Sequence, residues 1–253
     1  MLSKRKRITS LGLGADLLFS FLGIASEPDD SEIYEDENSP LRLALFNIEL
    51  LAEHLPPEHI AAPFLVRWPQ LINSSNKYER RASLAALGGV MRGSSEFMTQ
   101  YTDQLLPDVI RVLKTTEGSV VRVALITLSQ LTEVVPEKVT QHHSIVIPTV
   151  FEVMKFAIAQ PPEKLLNGLA VHNATSDQPL LIPTGPSDMQ TIRVACETLD
   201  TILEWIPPES IPPYLPHLMD LLLYVLKTDA DSDVKTIAIS KPPFISGKKI
   251  LII

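Results

Sequence analysis

The chain has 253 residues and a formal net charge of -8, with 45% hydrophobic and 21% charged residues. This length fits one or two globular domains or a short array of repeats, and the apolar content is enough for a continuous core. The negative charge argues against a general nucleic-acid binder, and the single cysteine, Cys196, excludes an internal disulfide or a cysteine-based zinc site.

Within residues 1–26, four consecutive basic residues at positions 4–7 are followed by an apolar run that ends at Ala25. That order is also found in secretory signal peptides. Asp16 and several glycines interrupt the run, however, and its apolar residues have the spacing of one helix face. We therefore favour a packed helix of a partial repeat over a signal peptide. The basic cluster resembles a nuclear-localisation signal, but a solvated chain end is the preferred interpretation.

Residues 27–39 form a predicted acidic loop, because seven of the twelve residues from Glu27 to Asn38 are acidic. A segment of this composition cannot bury itself and is expected to be exposed and mobile. Two roles remain open: a solubilising insertion, or an electrostatic attractor for basic segments of a partner. The candidate binding residues of this loop are Asp29, Asp30, Glu32, Glu35, Asp36 and Glu37.

A repeated unit begins at Pro40. Each copy opens with Arg-x-Ala on an apolar helical stripe and reaches a turn containing glutamate 13 or 14 residues after the alanine. The opening arginines are separated by 38, 42 and 71 residues, and a fifth start lies 42 residues further on. A period near 40 with two helices per unit is typical of HEAT repeats. The repeat arginines are Arg42, Arg80, Arg122 and Arg193.

The second helix of three units carries an early proline before its apolar stripe, at Pro107, Pro148 and Pro216. An early proline either caps such a helix or bends it to follow the curvature of an array. Three repeats are predicted over 40–158, a proline-rich insertion loop over 159–187, another repeat over 188–228, a truncated repeat over 229–240 and a divergent tail over 241–253. The predicted fold is an all-α, right-handed solenoid of about five HEAT repeats.

No residue pattern indicates catalysis, a cofactor or a metal. The adjacent pair His142 and His143 points in two directions on a helix and makes a poor metal pair. Cys196 lies on an apolar helix and is interpreted as a buried structural residue. Gly88-Gly89 lacks the strand and the lysine of a phosphate-binding loop and instead suits close helix packing. The two tryptophans, Trp68 and Trp205, are expected in the core or between repeats.

We assign the arginines that open the repeats a structural role rather than a role in binding or catalysis. An acidic residue precedes the basic one in several units, for example Glu117 before Arg122 and Asp188 before Arg193. Such acids suit a helix start, and they could also pair with the arginine of a neighbouring unit.

Four stretches resemble consecutive HEAT repeats of the importin-beta (karyopherin-beta) superfamily, nearest to its importin-4-like branch. They read LFNIELLAEHLPPEHIAAPFL, YERRASLAALGGVMRGSSEFM, SVVRVALITLSQLTEVVPEKV and ACETLDTILEWIPPESIPPYLPHLMDLLL. The resemblance runs in order from about Ala15 to Ala238. It implies a non-enzymatic nuclear transport receptor without a cofactor, one that shuttles between cytoplasm and nucleus.

The partners implied by the resemblance are basic cargo proteins with nuclear-localisation signals, such as ribosomal proteins or histones, and FG-nucleoporins. No direct nucleic-acid or membrane partner is implied. Basic cargo is held on an acidic inner surface in this family, and the second helices would form that surface here. The cargo-binding candidates are Asp103, Asp108, Glu152 and Asp220.

The chain also departs from the family, whose members are several times longer. It resembles the middle of their solenoid and leaves the pattern after Ala238. We therefore expect a fragment or a misassembled gene product, without the repeats that carry most of the family's Ran-GTP binding. The alternative function is another HEAT scaffold, such as a phosphatase regulatory subunit or a chromosome-associated adaptor.

Overall fold

The computed structural model describes residues 12–29, 33, 36–159 and 188–227, and all regular elements within these residues are helices. The predicted insertion over 159–187 lies outside the described residues except for Ala159, which ends a helix, and so do the predicted truncated repeat over 229–240 and the tail over 241–253. In chain order the α-helices are α1 Leu13–Ala25, α2 Pro40–His54, α3 Ala61–Ile72, α4 Lys77–Gly93, α5 Ser95–Met98, α6 Thr102–Val112, α7 Gly118–Val134, α8 Pro136–Gln141, α9 His143–Ala159, α10 Met189–Trp205 and α11 Leu215–Lys227. Short 3-10 turns lie at Pro57–His59, Thr99–Tyr101, Pro208–Ser210 and Pro212–Tyr214.

Three of the longer helices have a serine, asparagine or aspartate at the N-cap position whose side chain accepts a backbone hydrogen bond. Ser39 Oγ accepts a hydrogen bond from the Arg42 amide at 3.1 Å, and Asn76 Oδ1 accepts one from the Tyr78 amide at 3.0 Å. Asp188 Oδ1 accepts one from the Thr191 amide, also at 3.0 Å. Each cap satisfies an amide that has no partner inside its own helix. Asp188 therefore takes the helix-start role that the sequence suggested.

The chain divides into two compact units, Met1–His143 and Ser144–Ile253. In the first unit α4 is the central helix. It packs against α2 and α7, and every residue from Arg81 to Met91 is buried. Helix α1 packs on α2 and α4, α3 packs on α4, and α6 packs on α7. The first helices of successive repeats thus stack on one another, as expected when each repeat cannot bury its apolar face alone.

Hydrogen bonds between these stacked helices join residues about one repeat apart. Ser94 Oγ donates to the Ala52 carbonyl at 3.0 Å, across 42 positions. Thr127 Oγ1 donates to the Leu84 carbonyl at 2.9 Å, across 43 positions. The separation matches the period of about 40 found in the sequence, so the repeats lie in register along α2, α4 and α7.

Small residues let α4 approach both of its neighbours. A Cβ at Gly88 would lie 1.7 Å from Gln130 Oε1 of α7, and one at Gly89 would lie 3.3 Å from Glu49 Cβ of α2. The prediction that Gly88-Gly89 permits close helix packing is therefore confirmed.

Helix α1 confirms the predicted packed helix near the start of the chain, since Leu18, Leu22 and Ala25 are buried. Trp68 is 3% exposed, as expected for a core residue. The same expectation is wrong for Trp205, which is 50% exposed. Trp205 is the last residue of α10 and is not among the buried residues of that helix.

The second unit contains α9, α10 and α11. The Asp188 amide donates to the Ala157 carbonyl at 3.0 Å, so the two described segments meet next to the predicted insertion. The His217 ring of α11 stacks on the Phe151 ring of α9, with centroids 6.3 Å apart. Pro107 and Pro148 lie inside α6 and α9 with exposed rings, whereas Pro216 is the second residue of α11. At that position no intrahelical amide hydrogen bond is lost.

Candidate functional site

Asp108, on α6, is the candidate acid with the most defined surroundings. Its Oδ2 accepts a hydrogen bond from Trp68 Nε1 of α3 at 2.8 Å, and its Oδ1 accepts one from Arg111 Nη2 at 3.0 Å. The Asp108 side chain is 31% exposed and that of Arg111 is 50% exposed. The two donors therefore differ, because the indole is fixed in the core while the guanidinium reaches Asp108 from the surface.

Trp68 and Asp108 are 40 positions apart and occupy nearly equivalent places in the second helices of successive repeats. Their hydrogen bond links α3 to α6. Sequence reasoning placed both residues but did not pair them. The signal available was the separation itself, which equals one repeat.

Asp103 lies at the start of α6 and faces two basic residues. Lys138 Nζ is 2.6 Å from Oδ2, and His142 Nε2 is 3.8 Å from Oδ1. The hydrogen bond from Lys138 lowers the pKa of the Asp103 carboxyl, and the charges of Lys138 and His142 add to this effect. The carboxylate thus stays ionised near neutral pH. The Asp103 carboxylate is exposed, but it already forms an ion pair with Lys138 of the same chain.

The other two candidates belong to the second unit. Glu152 is on α9, with its side chain 72% exposed, and its Oε1 accepts from Lys155 Nζ at 3.1 Å. Asp220 is an exposed residue of α11. Three of the four candidate acids are therefore paired with a basic residue of this chain, which the sequence did not reveal.

The acidic loop is only partly described, since Asp30, Glu32 and Glu35 lie outside the described residues. Glu27, Asp36 and Glu37 are exposed, as expected. The prediction of a loop that cannot bury itself is wrong at two points. Ile33 is 1% exposed, and Arg81 Nη2 of α4 donates to the Asp29 carbonyl. An apolar residue within the acidic run and a buried guanidinium therefore attach this segment to the first unit.

Ion pairs also join neighbouring repeats in the first unit. Arg80 pairs with Glu117, the acid that precedes the next repeat's arginine. The expected pairing of such an acid with the arginine of a neighbouring unit is thereby confirmed here. Within the described part of the chain, Arg193 instead pairs with Glu197 of its own helix at 3.2 Å.

A second link between repeats joins α4 to α2 through a two-pronged contact. Arg92 Nε and Nη2 donate to the two carboxylate oxygens of Glu49 at 2.7 and 2.8 Å. The Arg92 hydrogen bond lowers the pKa of the Glu49 carboxyl, against the opposing effect of burial. Bidentate arginine–carboxylate contacts have the most defined geometry of the ion pairs.

Reactive chemistry has little support among the described residues. Burial, with a smaller contribution from the Glu197 charge, raises the pKa of the Cys196 thiol to about 12, which makes it a poor nucleophile. Over the described ranges, no three His, Cys, Asp or Glu side chains form a group that could hold a metal ion. None of the helices described in the structure is both long and apolar enough to cross a membrane.

No protein-family model matches the chain. Comparison with known proteins nevertheless finds several importins that are similar in sequence. The chain is 28% identical over 233 residues to the probable importin subunit beta-4 of Schizosaccharomyces pombe, a match that covers 92% of this chain and 19% of that protein. It is 24% identical over 140 residues to human Importin-4, covering 51% of this chain and 13% of that protein. The chain thus spans about a fifth or less of the length of these curated relatives.

Among solved structures, Kap121p is similar with a TM-score of 0.69 at 18% identity, over 90% of this chain and 20% of that one. Kap121p has also been solved bound to Pho4p, to RanGTP and to Nup53p. This structural similarity confirms the predicted all-α solenoid of HEAT type. Over 92% of its length, the chain is thus similar in sequence to part of an importin, and its fold is similar to that of part of Kap121p.

Proposed function

We propose that these residues are part of a nuclear transport receptor and bind basic segments of cargo proteins that carry nuclear-localisation signals. The observation that carries the proposal is the match to an importin over 92% of the chain. The fold similarity to Kap121p, which has been solved with Pho4p and with Nup53p, supports it. A receptor of this kind acts through its surfaces and shuttles between cytoplasm and nucleus, without catalysing a reaction.

The charge of the molecule suits such a partner. The formal net charge is -8, and exposed acids lie on the second helices at Asp103, Glu152 and Asp220. Long-range attraction of a basic segment to such a surface speeds association and weakens as salt rises. Ribosomal proteins and histones have the required basic segments, and FG-nucleoporins are the second class of partner that we propose.

The test uses the full 253-residue chain and a fluorescein-labelled, lysine- and arginine-rich peptide in an anisotropy titration. A peptide of the same length with serine in place of the basic residues is the control. We expect saturable binding of the basic peptide that weakens between low and physiological salt. Equal binding of both peptides, or no binding at low salt, would contradict the proposal.

Two triple variants distinguish an effect of the acids on the second helices from an effect of the total net charge. Asp103→Asn with Glu152→Gln and Asp220→Asn removes three of the candidate acids. A variant with Glu58→Gln, Glu133→Gln and Glu209→Gln removes three exposed acids elsewhere. We expect the first variant to lose more affinity than the second. Ran-GTP is measured in the same assay, and we expect no tight binding by this segment alone.

A further inference from the structure

We infer that Arg111 is an internal competitor that sets the affinity of Asp108 for a basic segment of a partner. The inference rests on the proposed function, and it assigns a specificity-determining role to a residue of the opposite charge. Its basis is the arrangement of Trp68, Asp108 and Arg111 in the first unit.

The carboxylate of Asp108 has one oxygen committed to the core. Trp68 is 3% exposed, and its ring packs against Phe64 with centroids 5.8 Å apart, so the indole has little freedom to move. Its Nε1 proton can donate only along the direction in which the ring holds it, and Asp108 Oδ2 receives it at 2.8 Å. The indole is a neutral donor, so it places no positive charge beside the Asp108 carboxylate.

The second oxygen, Oδ1, is held differently. Arg111 lies one turn further along α6, at the spacing of an i,i+3 pair, with an N–O distance of 3.0 Å and half of its side chain in solvent. An exposed ion pair of this type contributes little net free energy, because both charges are well solvated when apart. A lysine or arginine of a partner can therefore replace Arg111 at Oδ1 without disturbing the Trp68 contact.

The consequence is a competition between two cations for one oxygen. With Arg111 in place, a partner gains only the difference between its own contact and the Arg111 contact. Without the guanidinium, the same partner would gain the whole contact. From the range for exposed pairs, removing Arg111 is expected to tighten binding about twofold to fivefold.

Trp68 acts in this scheme as a positioning residue. It fixes the rotation of the carboxylate, so that Oδ1 points to the side where Arg111 reaches it. Preorganised acceptors bind with a smaller loss of side-chain entropy than free ones. The same fixed orientation is then available to a partner cation once Arg111 has moved away.

The experiment is an anisotropy titration of the full chain with the labelled basic peptide, at low and at physiological salt. Arg111→Gln removes the competing charge and keeps most of the side-chain length. Lys114→Gln is the matched control, because Lys114 is exposed, lies three residues further on and changes the net charge equally. A double variant, Asp108→Asn with Arg111→Gln, tests whether the gain passes through Asp108. Asparagine keeps an acceptor for the Trp68 proton.

We expect Arg111→Gln to bind the peptide more tightly than Lys114→Gln, and the gain to vanish in the double variant. Equal effects of Arg111→Gln and Lys114→Gln would overturn the inference and leave the proposed function intact. Persistence of the gain in the double variant would also overturn it. Absence of peptide binding by the wild type and by every variant would overturn the proposed function, and this inference with it.

Discussion

Gly93 of α4 lies directly against Glu53 of α2, such that a Cβ at position 93 would come within 2.6 Å of the Glu53 amide nitrogen. The Ala52 Cβ would be 2.7 Å away. The neighbouring atoms belong to backbone or sit directly on it, so they cannot move without shifting α2 itself.

Gly93→Ala is therefore expected to destabilise the first unit. The cost should be about 1–3 kcal/mol, the range for overpacking a well-packed contact. The measurement is urea unfolding followed by circular dichroism. Gly23→Ala is the matched control, since Gly23 is in α1 and a Cβ there would meet no atom within 4 Å.

Gly23→Ala should raise stability slightly, by up to about 1 kcal/mol, because alanine is the better helix former. Gly88→Ala should cost less than Gly93→Ala, because the atom it would meet is the end of the Gln130 side chain. If Gly93→Ala were as stable as the wild type, the close approach of α4 and α2 described here would be wrong.

Trp68→Phe should lower the free energy of unfolding by about 1–2 kcal/mol. The ring remains in the core, but the hydrogen bond from Nε1 to the Asp108 carboxylate is lost. Trp205→Phe serves as the comparison, because Trp205 is 50% exposed and the change should leave stability within about 0.5 kcal/mol. A larger loss for Trp205→Phe than for Trp68→Phe would contradict the burial of the two rings.

Arg92→Gln should destabilise the protein more at pH 7 than at pH 3. Arg92 lowers the pKa of Glu49 in the folded state, so this pair stabilises the fold above the unfolded carboxyl pKa. That stabilisation is lost as the pH falls through the folded pKa of Glu49. Near neutral pH, we expect a loss on the order of 0.5–1 kcal/mol, since both side chains are partly exposed.

The measurement is urea unfolding of wild type and Arg92→Gln at several pH values. Arg193→Gln is the control, because over the described ranges Arg193 pairs with Glu197 of its own helix. It should have a smaller effect at every pH. A stability difference for Arg92→Gln that does not change with pH would argue against a role for the Glu49 charge.

Cys196 should resist alkylation in the folded protein. The pKa of its thiol is raised to about 12, whereas that of an ordinary cysteine is about 8.5. Only the thiolate reacts with alkylating reagents. Iodoacetamide modification, followed by mass spectrometry at pH 8, should be far slower in buffer than in denaturant. Cys196 is the single cysteine, so each modified molecule reports on this residue alone. Equal rates in the two conditions would contradict the raised pKa.

The helical repeats could be predicted because their signals are local. Apolar spacing, the Arg-x-Ala starts and the proline turns recur at fixed intervals, and each follows from how one helix begins, ends and presents a face. The contact between Trp68 and Asp108 spans 40 positions, which is the same period. The sequence also suggested that Glu117 could reach the arginine of a neighbouring unit, which is Arg80.

The sequence by itself therefore determined the class of fold, the repeat period and the acidic character of the second helices. Only the tertiary structure decided which of the candidate acids form ion pairs with basic side chains of this chain. It also decided that Ile33 is buried within an acidic run and that Trp205 is exposed. The physical reason is that periodicity fixes the face on which a residue lies. The partner of a side chain depends on what the next repeat presents a few ångströms away.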